Sequence, residues 1–348
     1  MKIIQIIAGQ GGQNCGVYDY TEKLCQALEN SGQDVVMEAF PSWSFCDLGR
    51  LQLVHGRRRD TVLHLQYPSM GIGSSLAPIA LPAVPVGRYV ATLHEFSVFH
   101  PVRRAAFLSW ALFGSAIVFS NEYERGRFLA MYPFARSRCH VIPIGTNIDR
   151  ACVAVSQRAP AGTLHGTSEA GRGAAVVFFG QVSPGKGVEE FLRTAAILRQ
   201  RAPDLHLQLM GRMMRPASSF ARHVRATCAE HGIELLEGLP AAQVSAQLRR
   251  ADVAVLPFPD GISDKRGSAL ACLANGLTLV TIHSDRTPGW LRQTTYEMSA
   301  PEDAATTVCE LLSGERELNP NRAALETGLQ ERTWGAIADR HGCLYAEL

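Results

Sequence analysis

Apolar and polar residues follow two alternating patterns along the chain. Short apolar runs at 2–7 and 174–179, rich in Ile, Val and Phe, have the length and composition of buried strands. Each run is followed by a segment with apolar residues three or four positions apart, at 18–30 and 188–199, which predicts a helix. Strands that alternate with helices indicate parallel sheets covered by helices.

The same criteria predict the remaining elements. Strands are expected at 35–40, 61–65, 89–93, 116–120, 140–142, 205–210, 233–236, 253–256 and 278–282. Helices are expected at 218–231, 241–250, 268–275 and 333–347. The stretch 151–173 is rich in Ala, Gly, Ser and Thr and has no periodicity, so we interpret it as a linker. It marks the boundary between a first domain at 1–160 and a second domain at 174–325.

Composition agrees with two domains and excludes one class of partner. A chain of 348 residues exceeds the size of a single ordinary hydrophobic core. Hydrophobic residues make up 46% of the chain and charged residues 19%, which disfavours disorder. The net charge is only +2, from 34 Lys and Arg against 32 Asp and Glu, so no general field attracts nucleic acid.

Cysteine usage and the apolar stretches bear on the cellular compartment. The nine cysteines form no C-x-x-C pair, which favours reduced thiols and argues against a zinc site. Glycines, not a cleavage site, follow the apolar run at the start, and the apolar stretch 105–120 is short for a spanning helix. These features predict a cytoplasmic protein.

The first loop with candidate chemistry lies between the first strand and the first helix. Gly11, Gly12 and Gly16 allow close approach of a ligand, and the helix N-terminus offers free N–H groups to an anion. The dinucleotide fingerprint G-x-G-x-x-G would need a glycine at Asn14, although Glu38 lies where a ribose-binding acid would. A nicotinamide-dependent oxidoreductase and a ligand-free turn both remain open.

The second loop follows the strand that opens the second domain. Gly180 and Gln181 end that strand, and Lys186 comes just before the next helix. A lysine beside a helix N-terminus suits a diphosphate, because its ammonium and the backbone N–H groups act on the same charge. The alternative is a solvated lysine after a turn.

The third loop, at 257–268, follows a buried strand and holds two acids, two bases and two hydroxyls. Ligands of open α/β sheets bind at this edge. Gly267 and Ser268 begin the next helix, where they would present N–H groups and a hydroxyl to phosphate. A capped, solvated loop is the alternative.

Several motifs in a fixed order resemble the retaining glycosyltransferases of the GT-B fold, specifically the large family 4 group, over most of the chain. They are the Gly11-Gly12 turn, Thr-Leu-His-Glu at 92–95, His-Val-Ile-Pro-Ile-Gly at 140–145, Phe179-Gly180 with Lys186-Gly187, Ala-Asp-Val-Ala-Val-Leu-Pro at 251–257, the helix that ends at Gly276, and Trp334 in the last helix.

The resemblance implies an α/β protein with two Rossmann-like parallel-sheet domains facing a cleft. A C-terminal helix at 333–348 would cross back to pack on the first domain. The second domain would bind a nucleotide sugar, with Gly211 and Arg212 near the base, and the first would hold a carbohydrate or lipid-linked acceptor. Lys186 would contact the donor diphosphate, and His94 would close over the transferred sugar.

The reaction implied is transfer of a hexose-type sugar to a hydroxyl group with retention of configuration, in glycan or polysaccharide assembly. The resemblance implies no metal and no cofactor besides the donor.

The chain departs from the family pattern in its charged residues. Gln181 stands where the family usually has arginine, and the paired glutamates are replaced by Ser263 and Ala271. We expect Arg266 to supply the missing phosphate contact, since a guanidinium binds phosphate in a forked geometry. The sugar contact would then come from Asp260, Ser263 or Asp264. The same departures also fit a non-catalytic, glycosyltransferase-like subunit.

Other polar residues follow first-domain strands and are candidate acceptor contacts. They are Gln66, Tyr67, Glu95, Asn121 and Glu122.

Two basic segments of the first domain suggest peripheral contact with an anionic membrane. They are residues 56–59, and Arg103 and Arg104 beside Phe107, Leu108, Trp110 and Phe113. Solvated charge beside a core helix is the alternative.

Overall fold

The structure is a computed structural model of the 348-residue chain. It describes all residues except 10–14, 42, 56–59, 74, 84–86, 147 and 149–172. The chain divides into two compact units, one formed by Met1–Gly145 with Glu331–Leu348 and the other by Thr146–Gln330. No helix in the described part of the chain is both long and apolar enough to cross a membrane.

The first unit is built on a parallel sheet of six strands in the order β2-β1-β3-β4-β5-β6. Its strands are β1 (Lys2–Ala8), β2 (Asp34–Phe40), β3 (Thr61–Tyr67), β4 (Arg88–Leu93), β5 (Ala116–Phe119) and β6 (Cys139–Val141). Its helices are α1 (Gly16–Asn30), α2 (Phe45–Val54), α3 (Ala77–Ala80), α4 (Pro101–Ala106), α5 (Leu108–Phe113), α6 (Glu122–Leu129) and, from the end of the chain, α14 (Trp334–Glu347).

The second unit is a parallel six-stranded sheet in the order β12-β11-β10-β7-β8-β9. Its strands are β7 (Ala175–Val182), β8 (His206–Met213), β9 (Glu234–Glu237), β10 (Val253–Leu256), β11 (Thr278–Thr281) and β12 (Tyr296–Glu297). Its helices are α7 (Val188–Arg201), α8 (Ser219–Glu230), α9 (Ala241–Leu248), α10 (Gly267–Ala274), α11 (Gly289–Thr294), α12 (Pro301–Ser313) and α13 (Arg322–Gln330).

Alternation along β1 separates two cores on opposite faces of the first sheet. Ile4 and Ile6 point to one core, and Ile3 points to the other, which contains apolar residues of α1 and α14. Both faces are therefore covered, as expected for a parallel sheet. The second unit has its own core, which runs along β7, β8 and β10.

The two Rossmann-like sheets confirm the predicted fold class, and each predicted strand coincides with an observed one to within a few residues. Helices α2–α6 and α11–α13, and β12, were not predicted. Helices α3, α4, α5 and α11 have four to six residues, too few to show a helical period clearly.

The boundary between the units lies earlier in the chain than the predicted 160. Gly145 packs against Trp334 and Ile337 in the first unit, whereas Ile148 packs against the second core. The chain returns to the first unit at Glu331, where the prediction placed 333. The predicted linker at 151–173, apart from Gly173, lies outside the described residues.

Candidate functional site

The order of strands in the second unit creates a switch point between β7 and β10. These strands are neighbours in the sheet, but β7 leads to β8 on one side and β10 leads to β11 on the other. The connections that follow β7 and β10 therefore lead to opposite sides of the sheet. Both start at its carboxyl edge, which is where ligands bind in open α/β folds. Helices α7 and α10 both begin at these loops.

The two loops meet through backbone contact at Gly187. This residue caps α7 with a φ of +81°, and a Cβ built on it would lie 2.1 Å from the carbonyl oxygen of Pro257. Only glycine tolerates both conditions. Lys186, immediately before it, is half-buried and has no hydrogen-bond or ion-pair partner among the described residues. The ammonium of Lys186 is therefore available to an anion at the switch point.

A second glycine contact brings the β8 end to the same place. Gly211 pairs with Gly180 in register, and a Cβ at Gly211 would lie 1.9 Å from the carbonyl oxygen of Gly180. The Oγ atom of Ser268, at the start of α10, lies 3.7 Å from the position a Cβ of Gly180 would take. Gln181 and Arg212 are paired in the next register position and are exposed. The structure thus groups most of the predicted donor-binding residues at one edge.

Arg266 is held in place by two neighbours in the 257–268 loop. Its guanidinium forms an ion pair with Asp260 and lies over the Phe258 ring, 4.8 Å from the ring centroid. Arg286 Nη1 also lies 3.9 Å from Asp260 Oδ2. The first exposed backbone groups of α10, at Gly267, follow directly. Arg266 and this helix N-terminus both give the loop positive charge.

The candidate sugar contacts of this loop differ in accessibility. Asp260 is exposed, Ser263 is half-buried and Asp264 is buried. Ala271, at the second family glutamate position, is fully buried in the core of the unit. Alanine carries no carboxylate, so the chain has no counterpart of that glutamate at 271.

In the first unit, His94 follows β4 at the carboxyl edge of the sheet and is only 7% exposed. Its backbone N–H donates to the carbonyl of Tyr67 at 2.8 Å. Its Nε2 donates to Oε1 of Gln66 at 3.0 Å. The Tyr20 ring packs edge-on against the imidazole, with 5.0 Å between the two ring centroids. These contacts fix the imidazole ring in one orientation.

A buried hydrogen-bonded chain continues behind Gln66. Gln66 Nε2 donates to Gln5 Oε1 at 2.9 Å, and Gln5 Nε2 donates to the Tyr345 hydroxyl oxygen at 3.0 Å. The Tyr345 hydroxyl oxygen lies 2.6 Å from His64 Nδ1, and Thr92 Oγ1 lies 2.8 Å from His64 Nε2, both within hydrogen-bond distance. Helix α14, which carries Tyr345, is therefore linked to His94 through side chains of β1 and β3.

Burial keeps the two histidines beside this chain neutral. Desolvation is the main cause that lowers the pKa of His64 well below its ordinary value, with His341 and His94 adding to it. Desolvation likewise lowers the pKa of His341 to about 3, with a further contribution from His94. Nε2 of His341 lies 3.4 Å from the Tyr20 hydroxyl.

Three predicted acceptor contacts have other roles in the structure. Tyr67 is fully buried against Phe99 and Phe107, so the prediction of an acceptor contact there is wrong. Asn121 caps α6 by accepting from the Glu124 N–H, so its side chain is occupied by the helix. The Gln66 amide is hydrogen-bonded to Gln5 and His94.

Glu95 and Glu122 remain as exposed candidates at the same edge. Glu122 pairs with Arg125 at 3.2 Å on the surface of α6, and Glu95 precedes a short 3-10 turn. Sequence reasoning missed Glu124, which is buried and accepts from both the N–H and the hydroxyl of Ser97. This bond ties the segment after His94 to α6.

The glycine loop of the first unit is only partly described. Gly11 and Gly12 lie outside the described residues, and Gly16 begins α1 as an exposed residue. Glu38, the acid that a dinucleotide site would use, pairs with His55 Nε2 at 2.7 Å. This pairing occupies the proposed ribose-binding carboxylate.

The basic and apolar segment of the first unit divides between core and surface. Phe107 and Trp110 are fully buried, which corrects their assignment to a membrane-facing patch. Residues 56–59 lie outside the described residues. Apolar side chains are nevertheless exposed on α4, on α5 and in the turn just before α4, where five are 45–67% exposed: Val98, Val102, Leu108, Leu112 and Phe113. We call these five residues the α4–α5 surface.

No cluster of His, Cys, Asp or Glu suited to a metal ion occurs among the described residues.

Comparison with known proteins finds a family model that matches much of the second unit. Residues 173–313 match the family model described as Glycosyl transferases group 1. A curated relative is the GDP-mannose-dependent alpha-(1-6)-phosphatidylinositol monomannoside mannosyltransferase of Mycolicibacterium smegmatis, 28% identical over 179 residues. That match covers 49% of this chain and 44% of the relative, so the chain spans less than half the length of that protein.

Solved structures are similar over the whole chain. A glycosyltransferase from Rickettsia africae ESF-5 superposes with a TM-score of 0.73 at 12% identity, covering 99% of this chain and 98% of that one. Anabaena HepE in complex with UDP and glucose gives 0.65 at 13% identity and full coverage of both chains. At this identity the likeness shows the fold, which is GT-B with two Rossmann-like units.

The backbone contact at Gly187 predicts an unequal response to two alanine substitutions. Gly185→Ala forces a side chain into a φ of +72° with open space around it, at a cost of about 1–2 kcal/mol. Gly187→Ala adds a collision with the Pro257 carbonyl, worth about 1–3 kcal/mol more. Urea unfolding followed by circular dichroism measures both, and equal losses would show that the contact is unimportant.

The buried histidines predict acid sensitivity of the first unit. An unfolded histidine titrates near pH 6.5, whereas folded His341 has a pKa of about 3, so below about pH 6.5 only the unfolded state takes up that proton. Stability should therefore fall by about 1.4 kcal/mol per pH unit for this histidine between about pH 6 and 4. His341→Gln should remove the contribution of this one proton from the slope of stability against pH, and should leave the slope above pH 7 unchanged.

Tryptophan fluorescence in urea follows this effect, since Trp43, Trp110 and Trp334 lie in the first unit. His223→Gln, on the exposed side of α8, is the control. An unchanged acid slope in His341→Gln would mean that the buried ring accepts a proton in the folded state.

Proposed function

We propose that this chain, which carries a glycosyl transferases group 1 domain on a GT-B fold, transfers a hexose-type sugar from a nucleoside diphosphate sugar to an acceptor hydroxyl. The observation that carries the proposal is the edge of the second sheet where Lys186, the start of α10 and the Gly187–Pro257 contact come together. The named relatives support it, because one depends on GDP-mannose and another was solved with UDP and glucose.

In the proposed reaction, the donor diphosphate lies between the Lys186 ammonium and the first N–H groups of α10. Both stabilise the charge that develops on the leaving diphosphate, and a preorganised group of this kind is typically worth about 10²–10³ in rate. Arg266 would add a third contact if the phosphate replaces Asp260 as its partner. The family resemblance supports retention of configuration, with the donor phosphate taking the acceptor proton, and catalysis without a metal.

His94 is proposed to contact the transferred sugar from the first unit. Its position at the carboxyl edge of the sheet and its fixed ring orientation suit a group that must meet the substrate in one geometry. The exposed carboxylates Glu95 and Glu122 at the same edge are the remaining acceptor candidates.

A non-catalytic, sugar-nucleotide-binding subunit is the second candidate. Gln181 in place of arginine and the buried Ala271 favour it, because both remove contacts that the family uses. The oxidoreductase alternative is weakened by the pairing of Glu38 with His55.

The donor site is tested by calorimetric titration of UDP, GDP, ADP and NAD into the protein. We expect one nucleoside diphosphate to bind the wild type. Lys186→Ala and Arg266→Ala should each weaken it by about 1.5–3 kcal/mol, the range for a charged hydrogen bond. Arg193→Ala removes a charge from the exposed part of α7 and should leave affinity unchanged.

Each other outcome of this titration selects a different reading. Binding of NAD alone would favour an oxidoreductase, and unchanged affinity in Arg266→Ala would mean that Asp260 keeps the guanidinium. Binding of a nucleoside diphosphate without donor hydrolysis or transfer would favour the non-catalytic subunit.

We also propose that the acceptor is lipid-linked and that the α4–α5 surface rests on an anionic bilayer. Arg138 donates to the carbonyls of Ala111, Leu112 and Gly114 at the end of α5, and Arg103 and Arg104 lie on α4. Exposed apolar side chains beside basic ones match the interfacial region of an anionic membrane.

Flotation with phosphatidylglycerol vesicles tests this surface. Leu108→Ser with Leu112→Ser should lower binding by roughly tenfold, since each buried leucine contributes about 1 kcal/mol or more. Leu53→Ser, which changes an exposed leucine on α2, is the control. Equal binding of all variants, or none by the wild type, would exclude the proposed contact.

A further inference from the structure

We propose that Gln66 is a positioning residue, which keeps the ring proton of His94 on Nε2 and is itself oriented by the buried chain that ends at Tyr345 of α14. The tautomer of His94 depends only on the first unit. Its importance for sugar transfer rests on the proposed function.

The strand residues of the hydrogen-bonded chain behind His94 all lie on one face of the first sheet. Gln5, His64, Gln66, Thr92 and His94 occupy alternate positions whose neighbours on the same face, such as Ile3, Val62 and Val90, belong to the core under α1 and α14. The apolar side chains on the rest of this face offer no hydrogen-bond partner to an amide or an imidazole. Polar groups buried there must bond to one another.

The bonding order determines which atom of Gln66 meets His94. Each glutamine has a donor at one end of its amide and an acceptor at the other, so the orientation of Gln5 dictates that of Gln66. The Gln5 amide nitrogen lies 3.0 Å from the Tyr345 hydroxyl oxygen and 3.2 Å from His64 Nδ1. The Tyr345 hydroxyl oxygen accepts from this nitrogen.

Gln5 therefore presents its carbonyl oxygen to the Gln66 amide nitrogen, and Gln66 presents its own carbonyl oxygen to His94. A carbonyl oxygen can only accept a hydrogen bond, so the His94 nitrogen facing it carries the proton. In the neutral ring the lone pair is then on Nδ1. The opposite polarity would require both glutamines and His64 to reverse together.

Three of the groups that face His94 carry no charge. They are Tyr20 from α1, His64 from β3 and His341 from α14, and burial keeps both histidines neutral. Within this set, the contact that places the ring proton is the one between His94 Nε2 and Gln66 Oε1.

The tautomer can be read by nitrogen-15 NMR of histidine-labelled, full-length protein. The His94 signals are those absent from His94→Gln. We expect the wild type to show Nε2 protonated and Nδ1 unprotonated at pH 8. Gln66→Glu places a carboxylate beside Nε2, which should raise the pKa of His94 by at least one unit. Protonation at Nδ1 in the wild type, or an unchanged pKa in Gln66→Glu, would overturn the proposal.

A second variant guards against failure of Gln66→Glu to fold. Gln66→Leu removes the acceptor, so the Nε2 resonance of His94 should shift away from its hydrogen-bonded position. Sugar transfer should lose about 10- to 100-fold in kcat, with donor Kd unchanged within twofold. Tyr132→Phe is the control, because that hydroxyl bonds to the carbonyls of Arg104 and Ala105, outside the chain. Unshifted His94 resonances in Gln66→Leu would also overturn it.

Failure of the proposed function leaves a different signature. If the protein transfers no sugar but His94 is protonated at Nε2 and responds to Gln66→Glu, the positioning role holds and the enzymatic proposal fails. If transfer occurs while His94 is protonated at Nδ1, the enzyme is real and the positioning role is wrong.

Discussion

Parallel pairing of strands is the constraint on which the rest of this structure depends. Successive parallel strands must be joined by crossovers, so every loop that follows a strand leaves from the same edge of its sheet. In the second unit, this rule brings Lys186 and Ser268 to one edge although they are far apart in sequence. The contact of Gly187 with the Pro257 carbonyl then sets how closely the two loops approach.

Polar side chains buried on the first sheet must find hydrogen-bond partners within the protein. Unpaired, each buried amide or hydroxyl of the chain behind His94 would cost about 1–3 kcal/mol. The Tyr345 hydroxyl supplies an acceptor for Gln5 and a hydrogen-bond partner for His64. This gives the return of α14 to the first unit a specific reason, since an apolar helix could cover the face but could not satisfy these groups.

Much of the fold follows from the sequence, because strand length and apolar content are local properties. The runs that became β1, β7 and β10 are mostly apolar, as buried parallel strands require. Short helices such as α4 and α5 were not predicted, since six residues are too few to show a helical period. The end of the first unit was placed too late, because packing of Gly145 on α14 leaves no local signature.

The candidate site was predictable where one loop carries it and hidden where several strands share it. Loop residues such as Lys186 and Ser268 stand out beside apolar strands. Gln5, His64 and Tyr345 are separated in sequence, and only the alternation of polar residues along β3 could have indicated an inward polar face. Tyr67 was mistaken for a surface group, because position at a strand end says nothing about which face its side chain occupies.

The missing family charges bear on how this protein could still hold a diphosphate. Arg266 has an ion pair with Asp260, but that carboxylate is 55% exposed, and pairs of this kind contribute about 0–1 kcal/mol. A diphosphate at the start of α10 would offer Arg266 a doubly acidic partner beside unpaired N–H groups. Exchange of partners would therefore cost little, while the Phe258 ring keeps the guanidinium near the helix start in either state. In the proposed function, the ion pair with Asp260 would keep Arg266 in place for a phosphate rather than compete strongly against it.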